Sequence, residues 1–313
     1  MQNKQLPSVF DGIEFIENSI DNHVHCCPHL NSRSVNIFQA VREAIDHKMK
    51  GIGFMDNFSN SAGYAAVVNE EFKNLKIDVF GGLIMEPYAG GVNVDALKVG
   101  LNYNYGDKKN TRFVSLPTHH TRNIALQENR NPKYLKTCLS IPEKGPIPDP
   151  LPEIIDLIIE NDVVFNTGHL SGNESLKLVD FANKRGLKRI LVPSSHFENE
   201  IVKEIAKLNC FLEFSYLFIS NATEIALTHI DEEKHKSAPV KIEKMKELIN
   251  IATVKKTILS SDCGLSILPN PVEGFAKFLS IINNQGFSEN EIRIMSSYNS
   301  TKLFNINNTH VQK

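Results

Sequence analysis

The sequence predicts a single (β/α)8 barrel, and three observations carry that prediction. Eight short apolar segments alternate with amphipathic helical ones, the signature of a parallel sheet with crossover helices. The 313 residues are about the length one such barrel takes. No Gly-rich phosphate loop follows the first strand, as a doubly wound open sheet would require.

The elements follow in order. Ile13, Phe15, Ile16, Ile20 and Val24 lead into a first strand that ends at His25 and is closed off by Pro28. A helix over 35–49 buries Ile37, Val41, Ala44 and Ile45, and a short strand over 51–55 then runs into Asp56-Asn57. A helix over 62–72 precedes a third strand, 77–85, ending at Glu86-Pro87, and Asn93 caps the next helix. Strand four (112–116) ends in Pro117-Thr118-His119-His120. The segment 121–150 then breaks the rhythm; it is Pro-rich and mildly basic, and 137–141 and 146–150 flank Pro142-Glu143-Lys144-Gly145 as a small hairpin would. A helix over 151–160 and strand five (163–166) lead to Thr167-Gly168-His169. The helix 171–185 has Ser171 as cap and Gly186 as stop, and strand six (189–193) reaches Ser194-Ser195-His196. Strand seven (210–216), a helix over 240–252 and strand eight (257–262) complete the alternation, and helices over 271–282 and 289–304 close the chain.

Composition excludes several functions. A net charge of -2 with no basic stripe leaves no field for nucleic acid or an anionic membrane. Five cysteines without a C-x-x-C pair fit a reducing compartment rather than a disulfide framework. The first residues lack the apolar run of a signal peptide and no later run is long enough to span a bilayer, so the expected location is the cytoplasm.

In a barrel of this class the chemistry collects at the C-terminal ends of the strands. Here those ends carry His23 and His25, Asp56, Glu86, His119 and His120, His169, His196 and Asp262. His23 and His25 share a strand face at i, i+2, a spacing that lets two imidazoles hold one divalent metal. The bland alternative, polar residues at exposed strand ends, does not explain why only His47, His229, His235 and His310 lie well away from that rim, with His29 a few residues past it. Asp56 and Glu86 are candidate substrate-binding groups, Glu86 competing with a role as a loop cap. His119 is the choice over His120 for the pocket, since neighbours on an extended stretch face apart. Glu213 lies inside strand seven as a buried, paired carboxylate. Cys26, Cys27 and Cys263 read as packing residues, and the acidic run at Asp231-Glu232-Glu233 as a solvated face. Arg122, Arg130, Lys133 and Tyr134 lie on the 121–150 segment, either a lid that recognises an anionic substrate or a contact to a neighbouring subunit.

From end to end the chain resembles the amidohydrolase superfamily of metal-dependent barrel enzymes. The resemblance rests on His-x-His after strand one (His23, His25), single histidines after strands five and six (His169, His196) and Asp262 after strand eight. More narrowly, Thr167-Gly168-His169-Leu170-Ser171, the segment before it and the 299–303 tail resemble an uncharacterised group within it, known as a domain of unknown function. The resemblance implies a barrel without a flanking β-sandwich domain and a hydrolase of a small-molecule amide, ester or lactone. Its divalent metal, expected to be Zn2+ although Fe2+, Mn2+ or Ni2+ would also fit the donors, would be held by His23, His25, His169 and Asp262. Asp262 would act as general base and acid, and His196 would steady the developing oxyanion. Many binuclear members carry a Lys after strand four, where this chain has His119-His120, so one ion is favoured; a second would draw in His119 and His196. The alternatives are a decarboxylase on the same site, a phosphoesterase, and a barrel that binds metal or ligand without turnover. A small-molecule substrate is expected, and a homodimer by analogy with such barrels.

Overall fold

The computed structural model describes residues 9–306 apart from 75, 106–107, 226 and 229–233; His229, His310 and the acidic run from Asp231 lie outside the described residues. Eight parallel strands form the central sheet: β1 (Ile20–Val24), β2 (Gly51–Phe54), β3 (Asp78–Ile84), β4 (Thr111–Ser115), β5 (Val164–Asn166), β6 (Ile190–Pro193), β7 (Phe211–Ser215) and β8 (Thr257–Ser260). They lie side by side in chain order. The sheet closes on itself where Val24 bridges Cys263, the His25 N–H donates to Cys263 O at 2.8 Å and the Asp262 N–H to His23 O at 2.9 Å. The expected barrel is the observed fold, and a closed sheet leaves no strand edge exposed.

Strand parity splits the apolar side chains into two sets. Val79, Leu83, Val114, Phe165, Val192 and Leu259 point outward into the layer under the helices. Phe80, Ile84, Phe113, Val164, Leu191 and Ile258, one residue out of phase, fill the interior together with Ile20. Leu303, Phe304 and Ile306 from the chain's end join that interior set, with the Phe304 ring 4.8 Å from Phe80. The helix Asn299–Phe304 and Ile306 just after it therefore plug one mouth of the barrel. Its last carbonyls are met by arginines, Arg112 Nη1 reaching Phe304 O at 3.0 Å and Arg189 Nη1 reaching Leu303 O at 2.8 Å. Cations at a helix C-terminus satisfy orphan carbonyls and complement the dipole.

The outer helices begin as local chemistry dictates. Helix α1 (Ile37–Asp46) opens on a reciprocal Asn36–Gln39 capping box, and α2 (Ser61–Glu71) on Asn60. Asn93 caps α3 (Val94–Leu101). The 121–150 segment holds two short helices, α4 (Arg122–Gln127) and α5 (Pro132–Leu135), and not the expected hairpin. Leu139 pairs singly with Thr121, and Lys177 Nζ gathers the carbonyls of Pro142 at 2.5 Å and Gly145 at 2.9 Å. Then come α6 (Leu151–Asn161) and α7 (Gly172–Lys184), the latter capped reciprocally by Ser171 and Glu174. A short helix absent from the sequence reading, α8 (Asn199–Ile205), joins β6 to β7 and buries Val202 and Ile205. Helices α9 (Ile242–Ala252) and α10 (Pro271–Asn284) match expectation. The final predicted helix is α11 (Glu289–Arg293), a π turn (Ile294–Tyr298) and α12 (Asn299–Phe304) in succession. No helix among the described residues is long and apolar enough to cross a membrane.

Candidate metal and active site

At the open mouth, opposite the plug in strand direction, β1 and β8 bring three groups together. His23 Nε2 lies 3.5 Å and His25 Nε2 3.4 Å from the same oxygen, Asp262 Oδ1. Within the described residues this trio forms a group whose ligand atoms all lie within 4.8 Å of one another, and all three side chains are buried. The spacing is informative. A strong charge-assisted hydrogen bond would be shorter, about 2.7–2.9 Å. Two ligands about 2.0–2.1 Å from a common tetrahedral ion stand roughly 3.3 Å apart, close to what is seen. Imidazole and carboxylate are the donors Zn2+, Fe2+ or Mn2+ accept, so the residues present fit one divalent ion.

The backbone is shaped to hold this trio. Asp262 itself adopts φ 51°, a left-handed conformation unfavourable for a side chain and seen where structure over-determines it. Two residues on, Gly264 has φ 140°, and a Cβ there would lie 1.8 Å from His25 O. Only glycine lets the strand-eight loop close against strand one.

Glu213 orients the first histidine. Its Oε1 is 3.3 Å from His23 Nδ1 and accepts from Asn22 Nδ2 at 2.9 Å. Consecutive residues reach one carboxylate because the β1 register breaks between Asp21 and Val24. A carboxylate behind a metal-facing imidazole fixes its tautomer and raises its basicity. Burial alone would lower the His23 pKa, but Asp262 and Glu213 outweigh it and push it up to about 9. Burial pulls His25 down, only partly opposed by Asp262. Burial would raise Asp262, yet His23, His25 and His169 hold it below the ordinary carboxylate range. The trio thus consists of an ionised carboxylate, a basic imidazole and a neutral one.

The other expected residues divide. His169, His196 and His119 line the same cavity of about 200 Å3, but none of them belongs to the tight trio. His169 is placed by Gly168, whose φ of 61° turns the chain and whose Cβ would meet Pro117 O at 2.4 Å. Burial pushes His169 down to about 4, so it is neutral near pH 7. His196 packs edge-on against Phe218 at 4.7 Å, and burial lowers it too. His120 points away, to Thr137 O at 2.9 Å.

Two expected substrate groups do not face the cavity. Glu86 accepts the backbone N–H groups of Thr118 (2.7 Å), His119 (2.6 Å) and His120 (3.2 Å), so its carboxylate shapes the end of β4. Asp56 accepts from Phe58 N at 2.8 Å and Ser59 Oγ at 2.7 Å, which folds it back into its own turn. Its neighbour Asn57 lines the cavity instead, donating to Thr118 Oγ1 at 2.7 Å. The cations of the 121–150 segment are also absent from the lining: Arg130 stacks 4.2 Å over Tyr134 and pairs with Glu128 at 3.8 Å. Sequence reasoning missed Arg33, which does line the cavity, and Phe218.

Comparison with solved structures shows that this barrel shares its fold with several of known structure. The organophosphorus hydrolase of Deinococcus radiodurans superposes with a TM-score of 0.56 at 11% identity, over 97% of this chain and 100% of that one. An amidohydrolase from Pseudomonas aeruginosa gives 0.57 at 12%, over 94% and 98%. The probable dipeptidase PvdM of the same organism gives 0.62 at 9%, over 94% and 96%. At such identities the likeness establishes the fold, which is that of the superfamily the sequence resembles. No curated protein matches by sequence. A family of unknown function, DUF6282, matches residues 18–213, more than half of the chain, from just before β1 into β7. The chain belongs to that family.

Proposed function

We propose that this chain is a metal-dependent hydrolase of a small-molecule amide, ester or lactone, working with one Zn2+ ion in the cytoplasm. The observation that carries the proposal is the convergence of His23 Nε2 and His25 Nε2 on one oxygen of Asp262, at ion-sharing distances, on a cavity floor. Support comes also from the similar barrels, an organophosphorus hydrolase and an amidohydrolase. His23, His25 and Asp262 would hold the ion, with His169 as the fourth ligand and His119 and His196 reserved for a second. A divalent ion in such a site polarises a substrate oxygen and lowers the pKa of water from 15.7 to about 7.

The chain's own residues supply the remainder. Asp262, kept ionised by the histidines around it, takes the proton of the attacking water and passes it to the leaving group. His196, neutral through burial, offers a ring N–H to the developing oxyanion. Glu213 holds the His23 ring in one orientation while both are at work. Asn57 and Thr118, hydrogen-bonded to each other at the cavity wall, orient the substrate's polar end.

The test is a panel of amides, esters and lactones offered to zinc-loaded protein, in wild type and Asp262→Asn. Turnover that falls by roughly 10^2-fold or more in the variant, with zinc still bound, supports the general-base role. A second reading, decarboxylation of a carboxylic acid, is favoured by one feature: the end of β4 presents His119 to the cavity where a bridging Lys would stand. Release of carbon dioxide in place of amine or alcohol would decide for it.

A further inference from the structure

Arg33 is a cation inside the cavity whose burial outweighs the pull of Asp262 and Asp56, neither of which comes within ion-pair distance. Its backbone is pinned at the rim, bridging Leu265, while the Ser34 N–H donates to Gly264 O at 2.9 Å. That places its side chain beside the metal trio, where it lines the cavity together with His25 and Asp262. One guanidinium nitrogen, Nη2, lies 2.7 Å from His29 Nε2 and 3.2 Å from Nδ1. His29 is a positioning partner and not a counter-ion: its Nδ1 already accepts the Asn31 N–H at 3.0 Å, and Asp56 lies 3.8 Å from its Nε2. The Arg33 Nε is buried and bonds to nothing, and no carboxylate of the described residues comes within ion-pair distance of the guanidinium. A buried guanidinium left unpaired is costly, and its planar fork matches the two oxygens of a carboxylate.

We propose that Arg33 is the anchor for a singly charged carboxylate on the substrate, held beside the trio so that the remainder of the molecule lies along the Phe218 and Leu170 wall. The charge of Asp262 and the proton given up by the activated water would offset the two charges of a divalent ion, which leaves one buried guanidinium to balance one negative charge on the substrate. A phosphate dianion would bring a second charge, and the lysine at the cavity, Lys236, is exposed and well solvated. Glu128, also at the cavity, is already paired with Arg130. The substrate class is thus an apolar or aromatic monocarboxylic acid that also carries the bond to be cleaved. As a substrate anchor Arg33 rests on the hydrolase reading; as an anion subsite it is tested without it.

The test is calorimetric titration of benzoate, phenylacetate, benzamide and phenyl phosphate into wild type, Arg33→Met and Arg33→Lys, each zinc-loaded and metal-free. At least one carboxylate should bind wild type, weaken by about tenfold or more in Arg33→Met, and be partly restored in Arg33→Lys. Benzamide should bind wild type and Arg33→Met equally. Because burial disfavours the Arg33 charge more than Asp262 and Asp56 offset it, the melting temperature of Arg33→Met should be no lower than wild type, so loss of fold cannot mimic the result. Equal carboxylate affinity in wild type and Arg33→Met overturns the assignment, as does failure of both carboxylates to bind wild type. Phenyl phosphate binding more tightly than either carboxylate, with the same dependence on Arg33, overturns the single-charge assignment. Arg33-dependent binding in protein that takes up no zinc upholds the anion subsite while the hydrolase reading fails. Zinc uptake and turnover with no Arg33 dependence does the reverse.

Discussion

The two mouths of the barrel are built from opposite materials. At one, Phe80, Phe113, Val164, Leu191 and Ile258 meet Leu303, Phe304 and Ile306 in a dry apolar plug. At the other, imidazoles, carboxylates and a guanidinium crowd a cavity, and Asp21 Oδ2, His25 Nδ1, Arg33 Nε and Glu213 Oε2 are buried without a hydrogen-bond partner. Strand parity makes both from the same eight strands. The difference teaches that stability and chemistry are separated along the strand axis: the plug makes the barrel stable, and the polar mouth is held in place at a cost that a bound ion and a bound anion would offset.

That separation predicts opposite responses to substitution. Phe304→Ala should destabilise the fold by about 3–5 kcal/mol through the cavity it leaves, with zinc stoichiometry unchanged in the folded fraction; denaturant unfolding and metal analysis together check this. Glu213→Gln should act the other way round. Zinc affinity should fall by roughly 10–100-fold, because the ring of His23 loses the carboxylate that orients it, while the unfolding midpoint of the metal-free protein moves far less than with Phe304→Ala. A Glu213 variant as destabilised as the plug variant would erase the distinction between the two ends.

The pH responses of the mouth carry signs of their own. His23, pushed up to about 9 without metal, must give up its proton to bind an ion. Zinc affinity should therefore rise about tenfold per pH unit up to that pKa, with about one proton released per ion, as titration in buffers of different ionisation enthalpy measures. In the metal-free protein the charged His23 contributes stability fully present below 6.5 and lost as pH rises through about 9. His169, neutral in the fold and held down at about 4, contributes stability lost as pH falls from 6.5 through about 4. Asp21, pushed up to about 7 by burial, contributes stability lost as pH rises from 3.8 through about 7 and so offsets His169; the three groups together predict a metal-free melting temperature that changes little from about pH 4 to 6.5 and falls above it. The smallest effect belongs to Ser171→Ala, which removes the cap of α7 two residues from His169 and should cost about 1 kcal/mol without altering zinc affinity.

Much of this arrangement was legible in the chain. Short apolar runs marked most of the barrel strands, which are buried on both faces, and Ser171-x-x-Glu174 and Asn93 marked helix starts through their own hydrogen bonds. His23, His25, His169 and Asp262 stood out because strand ends are where side chains of this kind meet. What could not be read was direction. Glu86 ends its strand much as Asp262 follows β8, yet three backbone N–H groups of the neighbouring strand end capture its carboxylate. Asp56 is captured by its own turn, and Asn57 takes its place at the cavity. Arg33 lies eight positions past His25 on a loop with no periodicity; only the long-range bridge to Leu265 brings it to the site. The hairpin expected over 137–150 failed for a different reason: Leu139-Ser140-Ile141 alternates as a strand would, but Pro146, Pro148 and Pro150 leave the other flank without the N–H groups a ladder needs.

The most direct test of the central claim is the zinc content per chain of protein purified without added metal, compared between wild type and the double variant His23→Ala, His25→Ala. One ion per chain in wild type, lost in a variant that still folds, is the predicted result. No ion in wild type even after incubation with zinc, with the double variant indistinguishable from it, would contradict the account.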